Sequence, residues 1–414
     1  MKHFKGTIFI IIIFALLVGC TANPSNVPMD SNISFSETSI ADVSETLKDS
    51  VNASNQLGYN LLIRMQTDEN TLFSPVSLSM ALAMAYNAAS DETAQNISDI
   101  MGDADPTLIN PHYNALIAHL NRENDSDKIQ IGNSFWIRDT LKAKQSFVDT
   151  LSKDFNAEIY SADFTDKNTV NLMNTWVEEK TGGLLKDTLS EIDSTTIAYL
   201  MNTVTFKGKW ANAFAKEATS SLPFYTEDGV SKPVPMMSQT TAFQYYANAD
   251  VQVAALPYKD HTRMLIYLPT GDLSDFMASY DYEKVSNLIS DAHMVNTRLW
   301  LSLPKFEYTV SNPLKIPLIE MGMTLPFDPS KANFSNMVET SNENVYVSDI
   351  FQNAKIINDE AGTEAAAVTV IEFTETSMPI VDEPIEFNCN KPFFFIIEDV
   401  TTGAALFMGT YLGR

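Results

Sequence analysis

The chain has 414 residues, 45% of them hydrophobic and 19% charged, with a formal net charge of −25. That is the composition of a soluble globular protein long enough to bury a large core. The acidic balance argues against nucleic acid and anionic membrane surfaces as electrostatic partners, and no Lys/Arg cluster interrupts it.

Residues 1–5 make a basic start, and residues 8–18 are an unbroken apolar run. The run is shorter than the roughly 20 residues a spanning helix needs, and it fits the apolar core of a secretory signal. It ends in Leu17-Val18-Gly19-Cys20, which resembles a lipobox. That resemblance implies removal of residues 1–19 and lipid on Cys20, anchoring the chain to a membrane outside the cytoplasm. Residues 20–45, rich in Ser, Asn, Thr and Pro, read as a flexible tether. Residues 46–414 read as a single domain, because no internal repeat or linker divides them. With Cys20 lipidated, Cys389 has no disulfide partner and reads as a small apolar residue in a strand.

Helical spacing begins near Val51 with Leu57, Leu61, Leu62 and Met65. Pro75 sits where a helix start tolerates its missing N–H, and Leu78, Leu82 and Ala85 recur at helical spacing behind it. Residues 133–137 are expected to open a strand, and residues 301–306 to form one with period-two character.

The segment from Thr363 carries the most information. Alternate residues Thr363, Ala365, Ala367, Thr369, Ile371 and Phe373 are small or apolar, while Glu364 and Glu372 fall on the intervening set. Side chains in a strand alternate faces, so the segment suits a sheet with one uncharged face buried. Yet Gly362 starts it, three alanines weaken it as a strand, and Pro379 and Pro384 follow. A segment patterned for a sheet but ended like a loop suggests two conformations.

Enzyme signatures are absent from the sequence. None of His3, His112, His119, His261 and His293 stands in a zinc-binding spacing. There is no Gly-x-Ser-x-Gly elbow and no phosphate-cradling Gly-rich loop with a Lys.

The string Glu360-x-Gly362-Thr363-Glu364-Ala365-Ala366-Ala367 resembles the reactive-loop hinge of serpins, the serine protease inhibitor family. Residues 387–397 resemble the family's C-terminal signature. Residues 73–84, 174–183, 202–210, 234–237 and 347–350 supply further family words in order, so the resemblance spans roughly residues 50–414. Ala88-Ala89 stands where a Gly-Ala pair is usual, Asn353 where Lys is frequent, and Ala361 where a second acid is frequent. Residues 376–387 look a few residues longer than in some relatives.

The resemblance implies an α+β serpin fold with three β-sheets and about eight or nine helices. Its reactive-centre loop, about residues 360–384, would be exposed and able to insert into the main sheet. It implies an inhibitor and not an enzyme, monomeric, with no cofactor and no metal. Its partner would be a target serine protease, with a cysteine protease as the alternative. Ser74 and Ser77 are then capping or buried hydroxyls and not nucleophiles. The hinge would be Glu360, Gly362, Thr363, Glu364, Ala365, Ala366, Ala367 and Thr369. Family spacing from Gly362 puts the reactive bond at Thr376-Ser377, with Glu375 and Met378 as neighbouring alternatives. A small uncharged Thr376 suits elastase-like or subtilisin-like proteases. From Gly362 to Thr376 a strand would extend roughly 45 Å. A non-inhibitory binding protein of the same fold is the alternative, and a lipoprotein hydrolase a third reading.

Overall fold

The computed structural model describes residues 27–28 and 40–414, apart from 66–67, 103–104, 124–126, 194–195, 260, 291, 340–344 and 364–382. The signal at 1–19, Cys20, the bond Thr376-Ser377 and the hinge residues Glu364, Ala365, Ala366, Ala367 and Thr369 lie outside the described residues.

Two elements fall in the span read as a tether. They are a two-residue strand, β1 (Val27–Pro28), and the start of helix α1 (Ile40–Arg64). Helix α1 begins well before Val51 because Leu47 and Val51 continue the buried stripe, while buried Ser50, Ser54 and Asn55 break its apolar pattern. Those polar groups are satisfied: Ser54 Oγ lies 2.8 Å from Ser79 Oγ, and Asn55 donates to the Gly403 carbonyl at 2.8 Å.

Strand β2 (Thr71–Phe73) leads into α2 (Pro75–Ala88), with Pro75 in its first turn and Ser74 accepting the Ser77 N–H at 3.3 Å. Most of α2 is buried, so its apolar positions surround the axis and do not form one stripe. Next come α3 (Asp91–Met101), α4 (Ile109–Leu120), β3 (Arg122–Glu123) and β4 (Asp127–Arg138). Residues 133–137 thus close β4; they do not open it. Then follow α5 (Gln145–Phe155), β5 (Ala157–Ala162), α6 (Lys167–Lys180) and β6 (Ala198–Lys209).

The middle of the chain is mostly strand: β7 (Ser220–Tyr225), β8 (Ser231–Ala247), β9 (Val251–Pro257) and β10 (Thr262–Pro269). Short helices α7 (Leu273–Ser279) and α8 (Tyr282–Asn287) precede β11 (Val295–Pro304) and β12 (Phe306–Pro313). The stretch read as one strand at 301–306 therefore breaks at Lys305, and its halves join different sheets. The chain closes with α9 (Lys315–Glu320), β13 (Phe351–Asn358), β14 (Gly362–Thr363), β15 (Ile385–Asn388), β16 (Phe393–Asp399) and β17 (Ala405–Tyr411).

Nine α-helices are thus seen among the described residues. The strands form an eight-stranded sheet ordered β1-β5-β4-β6-β14-β13-β12, with β3 on β4. A nine-stranded sheet is ordered β15-β11-β8-β9-β10-β16-β17-β2, with β7 on β8. The expected α+β arrangement of several sheets and about nine helices is seen; among the described residues the strands join into two hydrogen-bonded sheets, because β8, 17 residues long, pairs in turn with β7, β11 and β9 and links them. The C-terminal aromatic run explains how the layers are tied. Phe393, Phe395 and Ile397 enter the main core, while Phe394 and Ile396 enter a second core with residues of α1, α7 and α8. A strand buried on both faces reads as a continuous apolar run.

Candidate functional site

The hinge is built by a tight turn between β13 and β14. Asp359 Oδ1 accepts the N–H groups of Ala361 at 2.9 Å and Gly362 at 3.2 Å, and the Asp359 N–H donates to the Gly362 carbonyl at 2.9 Å. An Asp closing a turn on its own backbone is a standard chain reversal. The reversed chain enters the eight-stranded sheet between β13 and β6. Thr363 pairs antiparallel with Asn358 on one side and with Gly208 on the other. Among the described residues no ladder joins β6 directly to β13; they meet through β14.

Gly362 is required by this approach. A Cβ there would lie 2.0 Å from the Gly208 carbonyl oxygen and 2.8 Å from Lys209 Cα, both backbone atoms. Thr363 turns inward, and its hydroxyl lies 2.7 Å from the Tyr258 hydroxyl. Tyr258 is itself buried, which pushes its phenol pKa upward and keeps it a neutral partner. Its ring stacks on Trp210 at 4.2 Å between centroids. Trp210 in turn donates its indole N–H to the Asp359 carbonyl at 3.0 Å and its backbone N–H to the Ala361 carbonyl at 2.9 Å.

Glu360 completes the latch. One carboxylate oxygen meets Lys305 Nζ at 2.7 Å, the other accepts from Thr219 Oγ1 at 2.9 Å, and its carbonyl accepts the Phe214 N–H at 2.9 Å. Burial pushes its pKa up, but the Lys305 hydrogen bond and charge, with Thr219 and its own backbone, outweigh that and hold it below the ordinary glutamate range. The carboxylate is therefore anionic and paired near neutral pH.

Further along the same strands, polar side chains tie β6 and β13 to the start of α2. Gln352 accepts the Ser74 N–H at 2.6 Å and donates to the Ser74 carbonyl at 3.1 Å. Ser77 donates to Asn202 Oδ1, and Asn202 donates to Asn133 Oδ1 at 2.6 Å. Ser74 and Ser77 thus cap and bridge. Among the described residues no three His, Cys, Asp or Glu side chains converge as metal ligands.

Of the hinge residues read from the sequence, Glu360, Gly362 and Thr363 are brought together here, while the others and the reactive bond fall outside the described residues. Cys389 follows β15, is fully buried, and donates its N–H to the Ser302 carbonyl at 2.9 Å; burial pushes its thiol pKa up. Sequence reading missed the partners Tyr258, Trp210, Lys305, Thr219 and Gln352. Trp210 and Lys305 stand inside words that were noticed, but only the fold brings them beside Glu360 and Thr363.

A family model described as "Serpin (serine protease inhibitor)" matches residues 52–413. A leukocyte elastase inhibitor of Xenopus tropicalis is 32% identical over 354 residues, covering 83% of this chain and 92% of its own. A serpin-like protein of Methanosarcina acetivorans is 29% identical over 422 residues, covering 99% of this chain and 98% of its own. Among solved structures, the thermophilic serpin tengpin in its native state superposes with a TM-score of 0.81 at 27% identity, covering 94% of this chain and all of that one. With a family model spanning most of its length and this hinge geometry, the chain belongs to the serpin family, whose members generally are protease inhibitors and not catalysts.

Proposed function

We propose that this protein inhibits serine endopeptidases as a suicide substrate. The protease serine oxygen attacks the Thr376 carbonyl carbon, the bond to the Ser377 nitrogen breaks, and that nitrogen leaves as an amine carrying the proton. The protease is left on Thr376 as an ester. The freed hinge side then continues β14 between β6 and β13, carrying the enzyme away from its point of attack and distorting it before water completes the cut. An elastase-like or subtilisin-like target fits the small Thr376.

The observation that carries this reading is the register of β14. Extended without a shift, it sets Ala365 beside Phe206 and Ile356, and Ala367 beside Val204 and Ala354. Phe206, Ile356 and Ala354 are core residues. The same register sets Thr369 beside Asn202 and Gln352, the two side chains that bond to Ser77 and Ser74. The small uncharged set thus matches the inward positions, and Glu364 and Glu372 match outward ones. A charge on the inward set would cost several kcal/mol.

The test is to mix the mature protein with a panel of elastase-like and subtilisin-like proteases. An SDS-resistant adduct and a released fragment beginning at Ser377 are expected. Cleavage by every panel member without adduct would favour the non-inhibitory reading. We further propose that the mature chain is a monomer held at a membrane by lipid on Cys20. Metabolic labelling with a fatty acid, lost in Cys20→Ala, tests the anchor.

A further inference from the structure

Three of the four tryptophans are buried: Trp136, Trp176 and Trp210 are at most 4% exposed, whereas Trp300 is 37% exposed. Trp300 lies in β11 between Leu299 and Leu301, both fully buried, so it stands on the outer face of the nine-stranded sheet. Across the ladder it faces Thr240 on β8 and Glu386 on β15, both exposed. Arg298, two residues away on the same face, is exposed too. In the other direction Ser302 is fully buried, so the open face ends there. An exposed Trp with a neighbouring Arg and a polar rim has the composition of an interface hot spot. Strand propensity does not demand it, since Thr or Val would serve the ladder equally.

Chain connectivity says what would cover it. β15 is the first strand after the loop, and Ile385 lies eight residue steps beyond Ser377. Eight residues span at most roughly 28 Å. A compact protease domain of about 200 residues has a radius of gyration of about 16 Å, hence a width of roughly 40 Å. A body that wide, engaged on Thr376-Ser377, is wider than this tether is long, so it can reach back to the β15 edge and the outer face beside it. The β15 edge itself offers exposed Ile385.

We propose that the outer face of β11 around Trp300 is a docking surface for the body of the protease engaged on the loop. This rests on the inhibitor reading for its occupant. Docking there adds contact area to the encounter complex without touching the reactive bond. It therefore acts on the rate of capture and not on the fate of the acyl-enzyme.

The test compares the parent with Trp300→Thr, a substitution suited to an outward strand position. One measurement is the second-order rate of adduct formation together with the number of inhibitor molecules consumed per protease trapped. The other is the affinity of the same proteases with their active-site serine changed to alanine. Equal melting of the two proteins establishes that the fold is kept. The expected result, for at least one protease, is about a tenfold loss in capture rate and in affinity for the inactive protease, the scale of a single hot-spot residue, with unchanged stoichiometry. Equal rates and affinities across a panel that the parent traps would overturn the surface and leave the inhibitor reading intact. If the parent traps nothing yet its binding to inactive protease depends on Trp300, the surface stands and the inhibitor reading fails. No adduct and no Trp300-dependent binding would overturn both.

Discussion

The hydroxyl of Thr363 lies 2.7 Å from that of Tyr258, inside the core, with Trp210 stacked on the far side of the tyrosine ring. This pair seats the first side chain of the loop in the sheet and fixes which face of the following segment points inward. Replacing Tyr258 by Phe removes one partner and leaves the Thr363 hydroxyl buried without it. A cost of about 1–3 kcal/mol is expected. It should be read as faster unfolding in urea, because the proposed trapping requires a fold held by a barrier, and such a fold is described by a rate and not by an equilibrium midpoint. An unchanged rate would mean that Thr363 is not seated in solution.

Gly362→Ala tests the close approach of the hinge to β6. The added methyl meets the Gly208 carbonyl, which cannot swing aside as a side chain could. The hinge is expected to leave the sheet, taking Asp359 and Ala361 from the Trp210 indole and backbone. Indole fluorescence should shift to the red, with faster amide exchange at Thr363. Retention of the parent spectrum would contradict the seating described here.

Glu360 gives a pH prediction with a definite sign. Its pKa in the fold lies below its unfolded value of about 4.3, so its contribution is fully present above that pH. The contribution is lost as pH falls through the lowered value. Lys305 is nearly half exposed, so the ion pair is worth about 1 kcal/mol or less. Unfolding rates of the parent and Glu360→Gln, compared between pH 7 and pH 3, should differ at neutrality and converge in acid. A gap that does not narrow as pH falls below the unfolded value would assign the effect to something other than this carboxylate.

Much of this was readable from the residues. Thr363, Ala365, Ala367 and Thr369 announce an uncharged face by simple alternation, and Ser74-Pro75 announces the start of α2. What could not be read was contact across the fold. Tyr258, just past β9, and Lys305, between β11 and β12, meet the hinge from positions distant in sequence, and nothing local marks either as its partner. The upstream reach of α1 was hidden for a different reason: Ser50, Ser54 and Asn55 occupy buried positions as hydrogen-bonded polar groups, so apolar periodicity failed there. Residues 301–306 looked like one strand because both halves alternate. The change of sheet at Lys305 is set by pairing partners, which local pattern does not encode.

Thr363→Arg separates cleavage from trapping. The reactive bond is untouched, so the protease should still cut it. Burying the guanidinium beside Tyr258 would cost several kcal/mol, so insertion should slow and turnover should win. Gel analysis should show cleaved inhibitor, free active protease and little adduct. Trapping as efficient as the parent's would contradict the inward assignment of Thr363.

The proposed trapping requires that the intact chain store free energy which loop cleavage releases. Differential scanning calorimetry of the intact protein and of the same protein nicked in the loop by a non-target protease tests it most directly. The account predicts that the nicked form melts at a markedly higher temperature. Melting of both forms at one temperature would contradict it.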